Sequence, residues 1–317
     1  MYRLKGSALE TVNNEGFSLE KNIQEIVESN LESLFDLEFV ATELSISEFR
    51  FDSLAFDRES RSFVIIEYKK KSSSSVIDQG YAYLSTMLNN KAEFILEYNE
   101  RKSESLKRED VDWSQSRILF ISPSFTSYQK NSVNFKDVPF ELWEIKRFSG
   151  DIICLDQITP SSKESIQQKG KGKDNIIGDV GKEVVVFSED DTLRKKNVGE
   201  GIKEVYYTLR ERLSEWEDVR FGAKKNYIAA WKNKRVVAYF IFRKSYIRTH
   251  VSRGFFGKKK DGKVIRKEDI KLFMLDDPKK MFNTWENDYK SVYSYDLKRT
   301  GDIDYLLLML KQKYDSI

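Results

Sequence analysis

Apolar residues recur at helical spacing from Phe17 to Phe35, at Leu19, Ile23, Ile26, Val27, Leu31 and Leu34, which predicts an amphipathic helix with Ser18 as its cap. The pattern then changes period. Phe49–Asp57 and Ser62–Lys69 are β-rich runs joined by Arg58-Glu59-Ser60-Arg61, a polar connection of hairpin length. After the break at Ser72–Ser75, the segment Ser75-Val76-Ile77-Asp78 has the form of a capping box and opens a second helix that runs to about Leu88. Ala92–Tyr98, Arg117–Ser122, Glu141–Lys146 and Asp151–Leu155 are further predicted strands. Residues 1–158 are therefore expected to form a mixed α/β domain.

From 159 to 185 the chain turns to Ser, Gln, Gly and Lys around Gly170-Lys171-Gly172-Lys173, the composition of a flexible linker. Residues 186–317 restart the pattern as a separate small α+β domain. Its expected elements are a helix near Asp191–Trp216, strands at Tyr227–Trp231, Arg235–Phe242 and Tyr246–Val251, and a closing helix at Ile303–Tyr314. No fixed-period repeat is present.

Composition removes several chemistries. Among 317 residues there is one Cys, Cys154, and one His, His250. A zinc site of Cys and His ligands and a disulfide framework are excluded, as is Cys–His or Ser–His–Asp machinery unless His250 alone serves it, so any metal must be a hard cation held by Asp and Glu oxygens. Met1–Glu10 lacks a signal-type apolar stretch and no window has membrane-span character, so a soluble, cytoplasmic protein without membrane association is expected. A net charge of +3 does not by itself select nucleic acid as a partner.

Register arithmetic gives the hairpin its chemistry. If Asp57 pairs with Ser62, Leu54 faces Ile65, Phe56 faces Phe63, Asp52 faces Glu67 and Arg50 faces Lys69. Two carboxylates would then stand about 5 Å apart at the edge of an apolar face, an arrangement that needs a compensating charge. Two readings stand at this point: a divalent cation supplies that charge, or Arg50 and Lys69 balance Asp52 and Glu67 in a salt-bridge cluster. On the first helix Glu20 falls on the apolar side, whereas Glu25 and Glu28 point away from it. Gln79 lies in the first turn of the second helix, with Tyr83 on the same face.

Phe51-Asp52, Ile65-Ile66-Glu67-Tyr68-Lys69, an acid on a preceding helix and Gln79 on a following one resemble the PD-(D/E)XK, or restriction-endonuclease-like, nuclease superfamily over residues 15–155. The resemblance implies a mixed sheet flanked by helices, with Asp52, Glu67 and Glu20 holding magnesium or manganese. It also implies that Lys69 orients the attacking water and stabilises developing charge, with Gln79 near the site. Phe51 stands where the eponymous Pro would be. The implied activity is hydrolysis of phosphodiester bonds in nucleic acid, DNA rather than RNA. A homodimer would suit double-strand cutting. The alternative is a non-catalytic nucleic-acid-binding or interaction protein that retains the fold.

The stretch from Arg253 to Lys267 is the most basic, and with Phe255 and Phe256 it suits strand binding. Arg253, Lys258, Lys259, Lys260 and Lys263 are its nucleic-acid-binding candidates, with Arg50 of the hairpin as a further one, against the simpler reading of the stretch as an exposed lysine-rich loop. His250 is expected to be structural or solvent-facing and Cys154 a small core residue. The Trp residues are expected to anchor cores or interfaces. No P-loop or dinucleotide fingerprint is present. The second domain resembles small accessory domains that accompany nuclease-like domains, and is expected to bind substrate, a partner or a second copy.

Overall fold

A computed structural model describes residues 2–69, 76–135, 137–162, 164, 176–233, 235–255, 259–260, 263–264, 271–286 and 290–317; of residues 255, 259–260 and 263–264 it describes the backbone alone. The chain divides into two compact units, Met1–Val186 and Phe187–Ile317.

The first unit opens on a hairpin, β1 (Tyr2–Lys5) and β2 (Ala8–Thr11), followed by α1 (Glu20–Glu28) and α2 (Leu31–Phe35). The single helix expected over 17–35 is thus two. Ser29 and Asn30 interrupt it, and Asn30 turns its side-chain amide back onto the Ile26 carbonyl at 2.8 Å, the local competition that makes such residues poor helix formers. A meander follows, β3 (Glu38–Ile46), β4 (Phe49–Asp57) and β5 (Ser62–Tyr68). After it come α3 (Val76–Asn89), α4 (Lys91–Lys102), β6 (Arg117–Ser122), α5 (Ser127–Ser132), β7 (Phe140–Phe148), β8 (Ile152–Ile158) and α6 (Ile176–Glu183).

The strands form one six-stranded mixed sheet in the order β3-β4-β5-β6-β7-β8. β5–β6 and β6–β7 are parallel and the other pairs antiparallel. Parallel neighbours need crossovers, supplied here by α3 with α4 and then by α5. Both faces are covered as a result. Phe63 and Ile65 of β5 enter the core beneath α3 and α4, while Val64, Ile66 and Tyr68 enter the one beneath α1 and α2.

Ala92–Tyr98, expected as a strand, lies inside helix α4. Phe94 and Tyr98, four residues apart, are buried against Phe63, and Glu97 pairs with Arg101 along the outer side. A short apolar run does not distinguish strand from buried helix, and here the spacing of its aromatic residues decides for helix. Part of the span expected to be linker is also built in. Val180 and Val184 of the α6 segment join the first core, Lys91 pairs with Glu183, and the Val185 amide donates to Ser114 O at 2.9 Å. Gly170–Lys173, the centre of the expected linker, lies outside the described residues.

The second unit comprises α7 (Glu189–Lys195), α8 (Glu200–Ser214), β9 (Val219–Ala223), β10 (Ile228–Lys232), β11 (Arg235–Phe242), β12 (Ile247–Phe255), β13 (Lys259–Lys260), β14 (Lys263–Val264), β15 (Asn283–Glu286), β16 (Lys290–Leu297) and α9 (Ile303–Asp315). The helix expected at 191–216 is again split, by Asn197 in the left-handed region and Gly199 at the start of α8. Six strands run β15-β16-β12-β11-β10-β9, every neighbour antiparallel. Tyr206 and Leu209 of α8 and Leu306 and Leu310 of α9 pack with Phe240, Phe242, Ile247 and Val251 into one core. Among the described residues no helix is long and apolar enough to cross a membrane.

Candidate active site at the parting of two strands

The hairpin register is the one the sequence arithmetic requires, with Asp57 opposite Ser62, Phe56 opposite Phe63 and Leu54 opposite Ile65. The ladder ends at Ser53–Ile66, one step short of Asp52 and Glu67. Beyond that point β5 continues along β6, where the Lys69 amide donates to Ile121 O at 2.9 Å. The Tyr68 amide is taken instead by the Asp52 carboxylate, at 2.9 Å from Oδ2. Asp52 and Glu67 therefore sit where the two strands part.

Glu67 is 4% exposed. Its Oε1 accepts from Lys69 Nζ at 2.7 Å and from Gln79 Nε2 at 2.7 Å, while Oε2 is buried without a hydrogen-bond partner. Gln79 is aimed by the seating of α3. Its neighbour Gly80 lets the helix close onto β7, because a Cβ there would stand 2.5 Å from the Phe140 ring. Gln79 Nε2 also reaches the Tyr83 hydroxyl at 2.9 Å, and that hydroxyl donates to Arg50 O at 3.2 Å.

The electrostatics are those of a site short of positive charge. Burial first, and then the charge of Glu67, pushes the Asp52 carboxyl up to about 7 against the opposing pull of the Tyr68 amide and Lys69, and Glu20 adds to the rise. Burial and Glu67 likewise push the Tyr83 phenol up to about 12. A hard divalent cation fits this donor set, since carboxylate oxygens are its ligands and Glu67 Oε2 is a buried oxygen with nothing bound to it. Among the described residues, though, no three His, Cys, Asp or Glu side chains converge closely enough to hold a metal, so the set consists of Asp52 and Glu67.

The structure thus brings together Asp52, Glu67, Lys69 and Gln79. Glu20 is the exposed first residue of α1, near enough for its charge to be felt at Asp52. Arg50 does not face Lys69, because the strands have separated. Its side chain is exposed, 3.8 Å from Glu43. The salt-bridge alternative accordingly reduces to Lys69 with Glu67.

Glu28, expected to point away, faces the sheet. It accepts from Ser53 Oγ at 2.5 Å and from Gln24 Nε2 at 2.9 Å, and the Gln24 amide also reaches Asp52 O at 3.0 Å. Ser53 Oγ lies 3.1 Å from the Tyr68 hydroxyl, so Gln24, Glu28 and Ser53 brace both strands beneath the site. Sequence reasoning missed this bracket because the helix was phased over 17–35 as a whole. Ending it at Glu28 places Gln24 in the buried stripe with Ile23 and Val27.

In the second unit Arg253 is tied into the sheet, donating to Ser291 Oγ at 3.2 Å with its guanidinium 4.9 Å from the Tyr293 ring, so it is not an open phosphate contact. Lys259, Lys260 and Lys263 lie on the β13–β14 ladder, of whose side chains nothing is described, and Lys258 lies outside the described residues. Cys154, expected in the core, is half-exposed on edge strand β8, with Sγ 3.2 Å from Asp156 Oδ2. An edge strand leaves one flank open, which an alternating apolar pattern does not reveal.

No protein-family model matches the chain. It is similar to an uncharacterized protein of Haemophilus influenzae, 35% identical over 329 aligned residues that cover 98% of each chain. Among solved structures it is similar to a repair endonuclease from Pyrococcus abyssi, with a TM-score of 0.23 and 14% identity over 38% of this chain and 45% of that one. It is also similar to EndoMS in complex with double-stranded DNA, with a TM-score of 0.24 and 17% identity over 43% of this chain and 50% of that one.

Proposed function

Because this chain belongs to one family with the Haemophilus influenzae protein, a single account should serve both, and we propose that it is a divalent-metal-dependent nuclease acting on DNA in preference to RNA. The observation that carries the reading is Glu67: a buried carboxylate beside a second one, Asp52, with Lys69 and Gln79 on one of its oxygens and nothing on the other. Two features support it. The helix, three-stranded meander, crossover and parallel strand of the first unit follow the order expected of a PD-(D/E)XK nuclease, and the carboxylates stand at the end of β5 where it leaves β4.

Asp52 and Glu67 would hold magnesium or manganese, with Glu20 next to them at the helix terminus. Lewis-acid polarisation of a phosphodiester is the chemistry such an ion supplies when bound. Lys69 keeps a cation beside the carboxylates, placed to hold a water for in-line attack and to offset charge as the phosphorane forms. Gln79 fixes the Glu67 carboxylate so that one oxygen stays turned outward from its donors. Gln24, Glu28 and Ser53 hold the two strand ends at a fixed separation.

The test is cleavage of single-stranded, duplex and branched DNA, and of RNA, with magnesium or manganese. Lys69→Ala should lower the rate by about a thousandfold, the scale set by removing one positioned electrostatic group, with circular dichroism checking that the variant is folded at the assay temperature. Wild-type protein that cuts none of these substrates would sink the enzyme reading. The non-catalytic alternative, favoured by the pairing of Lys69 with Glu67, would then stand if binding persisted.

A further inference from the structure

The two faces of the second unit's sheet are unlike. α8 and α9 build the core on one side. On the other, pairing sets a row across all six strands: Asn283 opposite Ser294, Ser294 opposite His250, His250 opposite Tyr239, Tyr239 opposite Ala229, and Ala229 opposite Gly222. Side chains opposite one another share a face, so this row alternates with the core residues Phe240 and Val251 and stands away from the helices.

What the row and its neighbours carry is aromatic and basic. His250 and Trp285 stack with ring centroids 6.4 Å apart and planes 11° from parallel, and Trp285 is 46% exposed. The Trp231 ring occupies the space over Gly222, where a Cβ would come within 2.7 Å of it, so that the indole lies on the sheet only because glycine is there. Tyr227 meets Tyr239 edge-on at 5.2 Å, and Lys290 Nζ stands 5.9 Å from the Tyr239 ring centroid. Arg220 is exposed on β9 opposite Trp231. Arg248 is held by both oxygens of Asp296, at 2.7 and 2.9 Å. Burial first, then the charges of Lys290 and Arg248, hold the His250 imidazole down at about 4, against a smaller opposing pull from Asp296, so the ring is neutral at physiological pH in a field that favours anions.

We infer that this sheet face binds a single-stranded nucleic acid segment, with bases stacked on Trp285, His250 and Trp231 and phosphates drawn to Lys290 and Arg220. Flat rings half-open to solvent suit unpaired bases, because a duplex keeps its base faces covered by its own stacking. Cations among the rings select a polyanion over an apolar protein surface. The inference stands apart from catalysis, since it concerns the other unit and needs no metal.

The experiment measures anisotropy of a fluorescein-labelled oligodeoxythymidine of about 15 nucleotides, the span of one such platform, with full-length protein in chelator at two salt concentrations. Trp285→Ala and Trp231→Ala should each weaken binding about tenfold, Trp285→Phe should retain most of it, and Lys290→Gln should flatten the salt dependence by about one counterion. Circular dichroism of each variant checks that the fold is retained. Trp285→Ala and Trp231→Ala alter no residue of the first unit and the chelator removes any metal, so failure of the nuclease reading and failure of this one are separately visible. Unchanged affinity in both Trp→Ala variants overturns the inference. So does equal binding of duplex with equal losses, which would leave phosphate contact alone. A Trp285-dependent dimer that ignores the oligonucleotide would assign the face to a second copy and overturn it as well.

Discussion

Each unit is built on a six-stranded sheet, yet the two sheets put their chemistry in different places. In the first, the parallel pairs β5–β6 and β6–β7 demand crossover helices, and the helices seal both faces. Polar groups can then survive only where strands end, and Asp52, Glu67 and Lys69 stand at such an end. In the second, every pair is antiparallel, and among the described residues the helices α8 and α9 pack on one face alone. Aromatic and charged residues there can spread across the sheet. Topology thus gathers charged side chains at a strand terminus in one unit and spreads aromatic and basic ones over a sheet face in the other.

The largest stability effect expected from this contrast is in the middle of the first sheet. Ile66 is fully buried on β5, packed with Ile23, Val27 and Tyr68 beneath α1. Ile66→Ala should destabilise the first unit by roughly 2–5 kcal/mol in urea unfolding, the range for deleting a large aliphatic side chain from a closed core. A loss under 1 kcal/mol would mean that this face is less sealed than its neighbours suggest. Because Ile66 also ends the β4–β5 ladder, the variant should weaken any metal-induced stabilisation, as the Asp52–Glu67 spacing depends on that last pair.

That spacing was legible in the sequence, and the reason is physical. Antiparallel pairing makes residue numbers sum to a constant, so a four-residue turn at Arg58–Arg61 sufficed to place Asp52 against Glu67. What could not be read was where the ladder stops, because β5 exchanges β4 for β6, a strand some fifty positions away. Arg50 would face Lys69 only if that pairing continued past Ser53–Ile66. The Gln24–Glu28–Ser53 bracket was hidden for a related reason: the helix phase depends on where α1 ends, and boundaries are weakly encoded. In the second unit β9, β15 and β16 are short or follow polar segments, so the open face, which exists only once six strands are aligned, left no local pattern to find.

A smaller effect is expected where the first sheet ends. The Asp52 carboxyl, at about 7 in the folded chain, lies above its unfolded value of about 3.9. The folded state therefore holds this proton more tightly, and the stability Asp52 contributes is fully present below about pH 4 and is lost as pH rises through 7. In chelator Asp52→Asn should be more stable than wild type at pH 8, by roughly 1–3 kcal/mol, with the gap closing towards pH 4. Urea titrations across that range measure it, and a gap independent of pH would contradict the assignment. Adding manganese should narrow the difference by stabilising the wild type alone.

The smallest effect belongs to the second sheet's open face, and its smallness is what separates the units. Trp285 sits on edge strand β15, whose four residues are all exposed, and its ring rests on His250 rather than in a core. Deleting it removes one stacking contact and creates no cavity, so Trp285→Ala should cost at most about 0.5 kcal/mol in urea unfolding, as for a surface substitution. The same variant should release His250 from its partial burial and let the imidazole rise from about 4 towards its ordinary range, which its ring resonances would report by NMR titration. A loss as large as that expected for Ile66→Ala would show that something covers this face in the folded chain. A binding surface and a core strand can carry equally large aromatic side chains, and only the free energy of folding without ligand distinguishes them.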